Sequence, residues 1–305
     1  MSTAEPERQA AGDRAHADAG PFEAQRPRLL GLAYRMLGSL TEAEDVLQEA
    51  YLRWRRAEGS GIREPAAWLT ATVTRLAIDE LRRQQVRRRE YVGPWLPEPW
   101  LSPEEEAATA DPQEQVELAD DLSVAFLLIL ERLGPEERAA LLLHDVFDVA
   151  YGDIAATLGK RPQAIRQIVS RARRRARGER QRFQVSAGQR RALVQRFQRA
   201  LRARDETELM ALFAEDAVLL SDGGGRVQAA LRPIRTADRI SRFFLGITRG
   251  LDLDTLGIDE RLINGMPGFV VTQGGSVLGT FAFEGGDGLI QRVYVVRNPD
   301  KLHHV

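Results

Sequence analysis

Apolar positions at helical spacing mark the first part of the chain. From Arg28 they run Leu29, Leu32, Ala33 and Leu37, then Val46, Leu47, Ala50, Tyr51 and Trp54, the stripe of helices with one buried face. Thr41 followed by Glu44 has the form of a capping box opening the second of these helices. After the break at "GSGIREP", Trp68, Leu69, Val73, Leu76, Ala77 and Leu81 restore the stripe. This predicts an all-helical module over 22–92, preceded by a disordered tail over 1–21 that has no apolar core. Residues 93–120 are rich in proline and acids and predict a linker. A second helical module follows over 121–182, in which Pro135 stands where a helix accepts proline at its start. The period then changes. "QRRALVQRFQRALRARDETELMALFAEDAVLL" predicts helix, and "FVVTQ", "VLGTFAFE" and "LIQRVYVV", divided by glycine turns, predict an antiparallel sheet. A helix-then-sheet α+β domain over 188–305 completes a multidomain chain.

Charge changes this picture because its signs are segregated. The 305 residues carry a net charge of −1, yet Glu98 to Asp121 holds nine acids and no Lys or Arg, while Lys160 to Arg182 holds ten basic residues and one acid. The basic run coincides with a helix-turn-helix pattern: Ile154, Ala155 and Leu158, then Gly159 at the turn, then Ala164, Ile165 and Ile168. That spacing leaves Arg161, Gln163, Arg166, Gln167, Ser170, Arg171 and Arg174 for the outer face. Arg and Gln make bidentate contacts to base edges, and clustered basic charge binds phosphates. A solvated helix pair with a basic tail is the plainer alternative, but spacing and charge agree independently. In the first module Arg75, Arg82 and Arg83 lead into Arg87, Arg88 and Arg89, a second basic footprint. Glu42, Glu44, Asp45 and Glu49 cluster on the preceding helix, either as a solvated face or as a docking surface for a basic partner.

The absence of cysteine excludes disulfides, thiolate metal sites and a cysteine nucleophile. No apolar run reaches the ~20 residues needed to span a bilayer, and no signal peptide is present, so the cytoplasm is the expected location.

The segments "RPRLLGLAYRMLGSLTEAEDVLQEAYLRW", "EPAAWLTATVTRLAIDELR" and "GPEERAALLLHDVFDVAYGDIAATLGKRPQAIRQIVSRARR", in this order, resemble the σ2 and σ4 domains of bacterial extracytoplasmic-function (ECF) sigma factors. The resemblance implies that Glu42, Glu44, Asp45, Gln48 and Glu49 bind the β′ clamp helices of core RNA polymerase. It implies that Arg75, Asp79, Arg82 and Arg83 act at the −10 element, and that the helix after Arg161 enters the major groove at the −35 element. The acidic linker would thread into the polymerase near the RNA exit path. The extension beyond σ4 resembles a SnoaL-like cone. "WLPEP" (Trp95, Leu96, Pro97, Glu98, Pro99), "SDGGGRV" (with Asp222, Gly223, Gly224, Gly225, Arg226) and "RNPDKL" (with Asn298, Pro299, Asp300, Lys301, Leu302) resemble three short motifs of the SigJ-like subgroup with this extension. In that subgroup the cone is a built-in regulator packed on the σ2–σ4 linker, and Lys is common where Arg226 stands. Lys301 or Arg226 is expected to pair with linker acids such as Glu98.

Cones of this kind also serve enzymes of polyketide and steroid chemistry, so an isomerase or cyclase fused to a DNA-binding controller is one alternative. Acid–base work needs a placed His or carboxylate. The four histidines are His16 in the tail, His144 in a σ4 helix, and His303 and His304 at the C-terminus, which leaves Asp216 and Asp222 as candidates. A helix-turn-helix repressor is the other alternative. No cofactor and no metal are implied, a separate anti-sigma factor is not required, and the cone's pocket is open to an unidentified small effector.

Overall fold

The computed structural model describes residues 5–57, 61–101, 122–177, 187–286 and 288–305. The chain divides into two compact units, one of residues 1–85 with 133–175 and one of 86–132 with 176–305.

The first unit is helical. Helix α1 spans Glu5–Leu37, α2 Leu40–Ala57 and α3 Pro65–Arg87. Leu29, Leu32, Ala33 and Leu37 of α1, Val46, Leu47 and Ala50 of α2, and Leu69, Val73 and Ala77 of α3 are buried, the positions the helical period selects. Helix α1 begins inside the stretch expected to be a disordered tail. That stretch is rich in alanine, and intrinsic propensity supports helix where no apolar stripe is present. The cap of α2 also lies two residues earlier than Thr41: Ser39 Oγ accepts the Glu42 N–H at 3.2 Å, and the Ala43 N–H reaches the Ser39 carbonyl. Helices α5 (Pro135–Asp145), α6 (Tyr151–Leu158) and α7 (Pro162–Arg177) complete the unit. Gly159 ends α6 in the left-handed conformation, φ 63° and ψ 36°, as glycine does after a helix.

The second unit contains α4 (Val124–Leu130), α8 (Ala187–Ala203), α9 (Glu206–Ala211), α10 (Ala237–Ile247) and a six-stranded sheet. Its strands are β1 (Phe213–Asp222), β2 (Ile234–Arg235), β3 (Gly257–Ile263), β4 (Met266–Gln273), β5 (Ser276–Gly286) and β6 (Leu289–Val296), in the order β2-β1-β6-β5-β4-β3. The sheet is mixed: β1 and β6 are parallel and every other pair is antiparallel. Hairpins enforce antiparallel pairing, whereas a long crossover separates β1 from β6. The segment "FAEDAVLL" is strand rather than helix. Arg204 in the left-handed region, φ 54°, breaks the run, Asp205 caps the short α9, and burial then alternates along β1. Phe197, Phe244, Phe269 and Phe283 lie in the core between helices and sheet. On another surface Ile263, Met266, Ala282, Tyr294 and Val296 pack with Leu96, Val124 and Leu302. Leu96, Pro97, Glu98 and Pro99 are buried, so the beginning of the expected linker packs as part of this unit, and the rest of it from 102 on lies outside the described residues.

Candidate functional site

Three surfaces gather the residues singled out above. On α2, Glu44, Asp45 and Gln48 are exposed opposite the buried stripe. Glu49 pairs with Arg53 at 2.8 Å, and Glu42 accepts a hydrogen bond from Gln84 of α3.

On α7, Arg161 at the turn and Gln163, Arg166, Gln167, Ser170, Arg171 and Arg174 are all exposed. Ile165, Ile168, Val169, Ala172 and Ala176 form the buried face. Charge counting could not separate these from two structural arginines. Arg173 binds Asp145 at 2.5 Å, and Arg175 binds Glu137 at 2.7 Å.

The first unit also joins its two helical modules. Arg138, 3% exposed, donates to the Met36 carbonyl, and burial lowers its guanidinium to about 9. Arg28 and Arg35 lie over the Phe147 ring at 5.2 and 5.6 Å. Arg75 donates from Nε to the Thr157 carbonyl at 2.9 Å and from Nη2 to that of Ala156 at 3.3 Å, groups at the C-terminal end of α6. Arg82 pairs with Asp79 at 3.1 Å and with Glu136 at 3.2 Å, and Glu136 also binds Lys160. Arg83 pairs with Glu80.

The three short motifs meet in the second unit around Asp222, which is fully buried at the end of β1. Its carboxylate accepts hydrogen bonds from Tyr91 Oη at 2.6 Å, the Leu96 N–H at 2.9 Å, the Gly224 N–H at 3.0 Å and Lys301 Nζ at 2.7 Å. Lys301 also donates to the Leu96 carbonyl and lies 4.3 Å from the Trp95 ring centre and 5.0 Å from that of Tyr91. Arg88 covers Trp95 at 3.9 Å. Asn298 Nδ2 donates to Tyr91 Oη at 3.0 Å, and the Asn298 N–H to the Asp222 carbonyl at 3.0 Å. Burial lowers the Lys301 ammonium to about 8, outweighing the opposing pull of Asp222 and Glu98, while the nearby Arg88 charge adds to the lowering. Burial and the Asp222 charge push the Tyr91 hydroxyl well above its ordinary range, so it stays a donor.

The ion pairs differ from the expected ones. Lys301 pairs with Asp222 of the cone, with Glu98 acting through its charge. Arg226 pairs with Asp300 at 3.3 Å on an exposed surface. A short carboxylate at a strand end reaches a buried ammonium that a linker side chain reaches only at longer range. The glycines of "SDGGGRV" allow close approach. A Cβ on Gly225 would stand 3.2 Å from Val92, next to the start of the linker, and one on Gly224 would overlap Asn298 at 2.3 Å. Both have positive φ, 71° and 58°.

The Sigma-70 region 2 family matches residues 22–87 and the Sigma-70 region 4 family residues 123–175. The chain is 35% identical to the ECF RNA polymerase sigma factor SigJ of Mycobacterium tuberculosis, over 92% of each protein. It is 35% identical to the probable ECF sigma factor SigI of the same organism, over 58% of this chain and 60% of that one. The crystal structure of the M. tuberculosis SigJ superposes with a TM-score of 0.73 at 33% identity, covering 93% of this chain and 97% of that one. The chain belongs to the ECF RNA polymerase sigma factors.

An ECF sigma factor directs RNA polymerase to promoters and starts transcription there, so RNA polymerase and promoter DNA are its partners. Neither carboxylate considered for acid–base work stands in the wall of the cone's cavity, which has no His, Asp or Glu among its described lining residues. No described helix is long and apolar enough to cross a membrane. Among the described residues no group of three or more His, Cys, Asp or Glu is placed to hold a metal ion. Residues of this sigma factor that pattern reading missed are Tyr91, Trp100 and Asn264, and Arg88, counted there in a basic footprint, lies instead over Trp95. The Trp100 carbonyl accepts the Asn264 N–H at 2.8 Å, and Leu101 bridges Ile263. The Asn264-Gly265 pair is a hairpin signal visible in the sequence. Its use as a linker dock is not.

Proposed function

We propose that this sigma factor is switched by its own cone, which clasps the σ2–σ4 linker through Asp222 and Lys301 and withholds it from the polymerase. The observation that carries this reading is the Asp222 carboxylate, buried and shared by Tyr91, Leu96 and Lys301. A clasped linker is unavailable to thread into the enzyme. The tether makes the effective concentration of cone at linker high, so a modest interface suffices. The association of the two helical modules supports the same reading. Arg75 and Arg82, assigned to the −10 element, are engaged by Ala156, Thr157 and Glu136. Reading −10 and −35 elements together requires these contacts to open, a shift of population between closed and spread forms. Glu44, Asp45, Gln48, Glu49 and Glu42 then serve the clamp helices, and the exposed face of α7 serves the −35 element. The fused cone makes a separate anti-sigma factor unnecessary, and its cavity takes a small effector.

The test is transcription by core polymerase with the purified full chain on a promoter it recognises. Lys301→Glu puts two carboxylates together in the clasp, and transcript yield should rise. Unchanged yield, with linker hydrogen exchange accelerated, would overturn the regulatory reading.

A further inference from the structure

Under α8 and α10, the sheet's inner face walls a cavity of about 780 Å³, within the range of small-molecule sites. Its walls are apolar and aromatic, with Phe197, Phe243, Phe269, Phe281, Leu278 and Val295 among them. The Phe269 and Phe281 rings are nearly parallel, 22° apart with centres at 4.9 Å, a surface suited to a flat ring. Polar side chains interrupt this wall, Ser221 and Gln198 among them. Ser221 Oγ and Gln198 Nε2 both belong to lining residues, are buried, and have no hydrogen-bond partner, although Ser221 is only 1% exposed. Buried polar atoms without partners are costly in a native protein, and a ligand hydroxyl or carbonyl would satisfy them. Two of the three lining arginines are engaged within the protein: Arg242 pairs with Asp238 and Arg297 donates to the Gln228 carbonyl, and Arg202 is the third.

Ser221 precedes Asp222 on β1, and successive strand residues face opposite sides. One side chain therefore belongs to the cavity and the next to the clasp. The Arg297 N–H, from a residue that also lines the cavity, bonds the Asp222 carbonyl at 2.7 Å. We propose that the cavity is an effector site for a neutral, ring-containing molecule carrying a hydroxyl or carbonyl. That molecule hydrogen-bonds Ser221 and Gln198 and, through β1, changes the hold of Asp222 on the linker. The coupling half rests on the clasp reading above. The binding half does not.

The probe is prodan, a neutral fused-ring ketone whose emission shifts to the blue in apolar sites, titrated into the full chain. Saturable, blue-shifted binding is expected. Ser221→Ala, which adds no bulk, should weaken it about fivefold, the worth of one hydrogen bond. Leu278→Trp should block it, with thermal melting confirming that both variants fold. Saturating prodan should alter hydrogen exchange across residues 91–101 of the wild type. No saturable binding, or binding equal in all three proteins, overturns the site. Binding with unaltered linker exchange overturns the coupling. A failure of the clasp reading is seen separately: Lys301→Glu would then leave linker exchange unchanged without any probe.

Discussion

Replacing Asp222 with alanine removes the acceptor shared by Tyr91, Leu96, Gly224 and Lys301. The largest consequence falls on Lys301, whose side chain is 12% exposed. Removing one partner of a buried ion pair costs about 3–5 kcal/mol because the other charge is stranded. The Leu96 carbonyl still accepts from Lys301, which places the expectation near the lower end, about 3 kcal/mol. Hydrogen exchange in the full chain reads this directly: protection across residues 91–101 should fall by roughly a hundredfold, at ~1.4 kcal/mol per decade. The double variant Asp222→Ala/Lys301→Met removes both charges. It should recover about 2 kcal/mol, because a paired deletion strands no ion. A cost below about 1 kcal/mol for Asp222→Ala, or simple addition of the two single effects in the double-mutant cycle, would refute the clasp as a coupled ion pair.

Three further outcomes follow from the same contacts. Lys301 is held at about 8 against an ordinary 10.5, so between these pH values the open clasp binds more protons than the closed one. Closing should therefore strengthen as pH rises from 8 toward 10.5 and stay flat below 8. Linker protection corrected for intrinsic exchange measures this, and Lys301→Met should abolish the slope. Gly224→Ala meets both a left-handed φ and the Asn298 side chain. Strain alone should cost about 1–2 kcal/mol, read as faster linker exchange, and an unchanged rate would contradict the packing. Arg171→Ala should weaken −35 binding and lower the salt slope by about one without changing the melting temperature. Arg173→Ala, which frees Asp145, should instead cost stability by about 0.5–1 kcal/mol in denaturant unfolding.

How much of this was legible in the sequence depends on the range of the interaction. Helical faces are local, set by a period of 3.6 residues, so Val46, Leu47, Leu69, Val73, Ile154 and Ile165 were recognisable as core before any coordinates. The turn at Gly159 and the exposed basic face of α7 came from spacing and charge. The three short motifs were recognisable as strings. β1 was not, because "FAEDAVLL" fits helix and strand about equally over so few residues, and its strand state is decided by pairing with β6 some seventy positions away.

The sequence by itself thus determined the helices, the order of the modules and the exposed basic face of α7, all consequences of periodicity and local charge. Only the tertiary structure decided partners. It paired Lys301 with Asp222 rather than Glu98, turned Arg75 and Arg82 onto α6 and Glu136, and set Ser221 and Asp222 on opposite sides of β1. The physical reason is that desolvation and ion pairing depend on which groups are buried together, and no local pattern encodes a contact across a hundred residues.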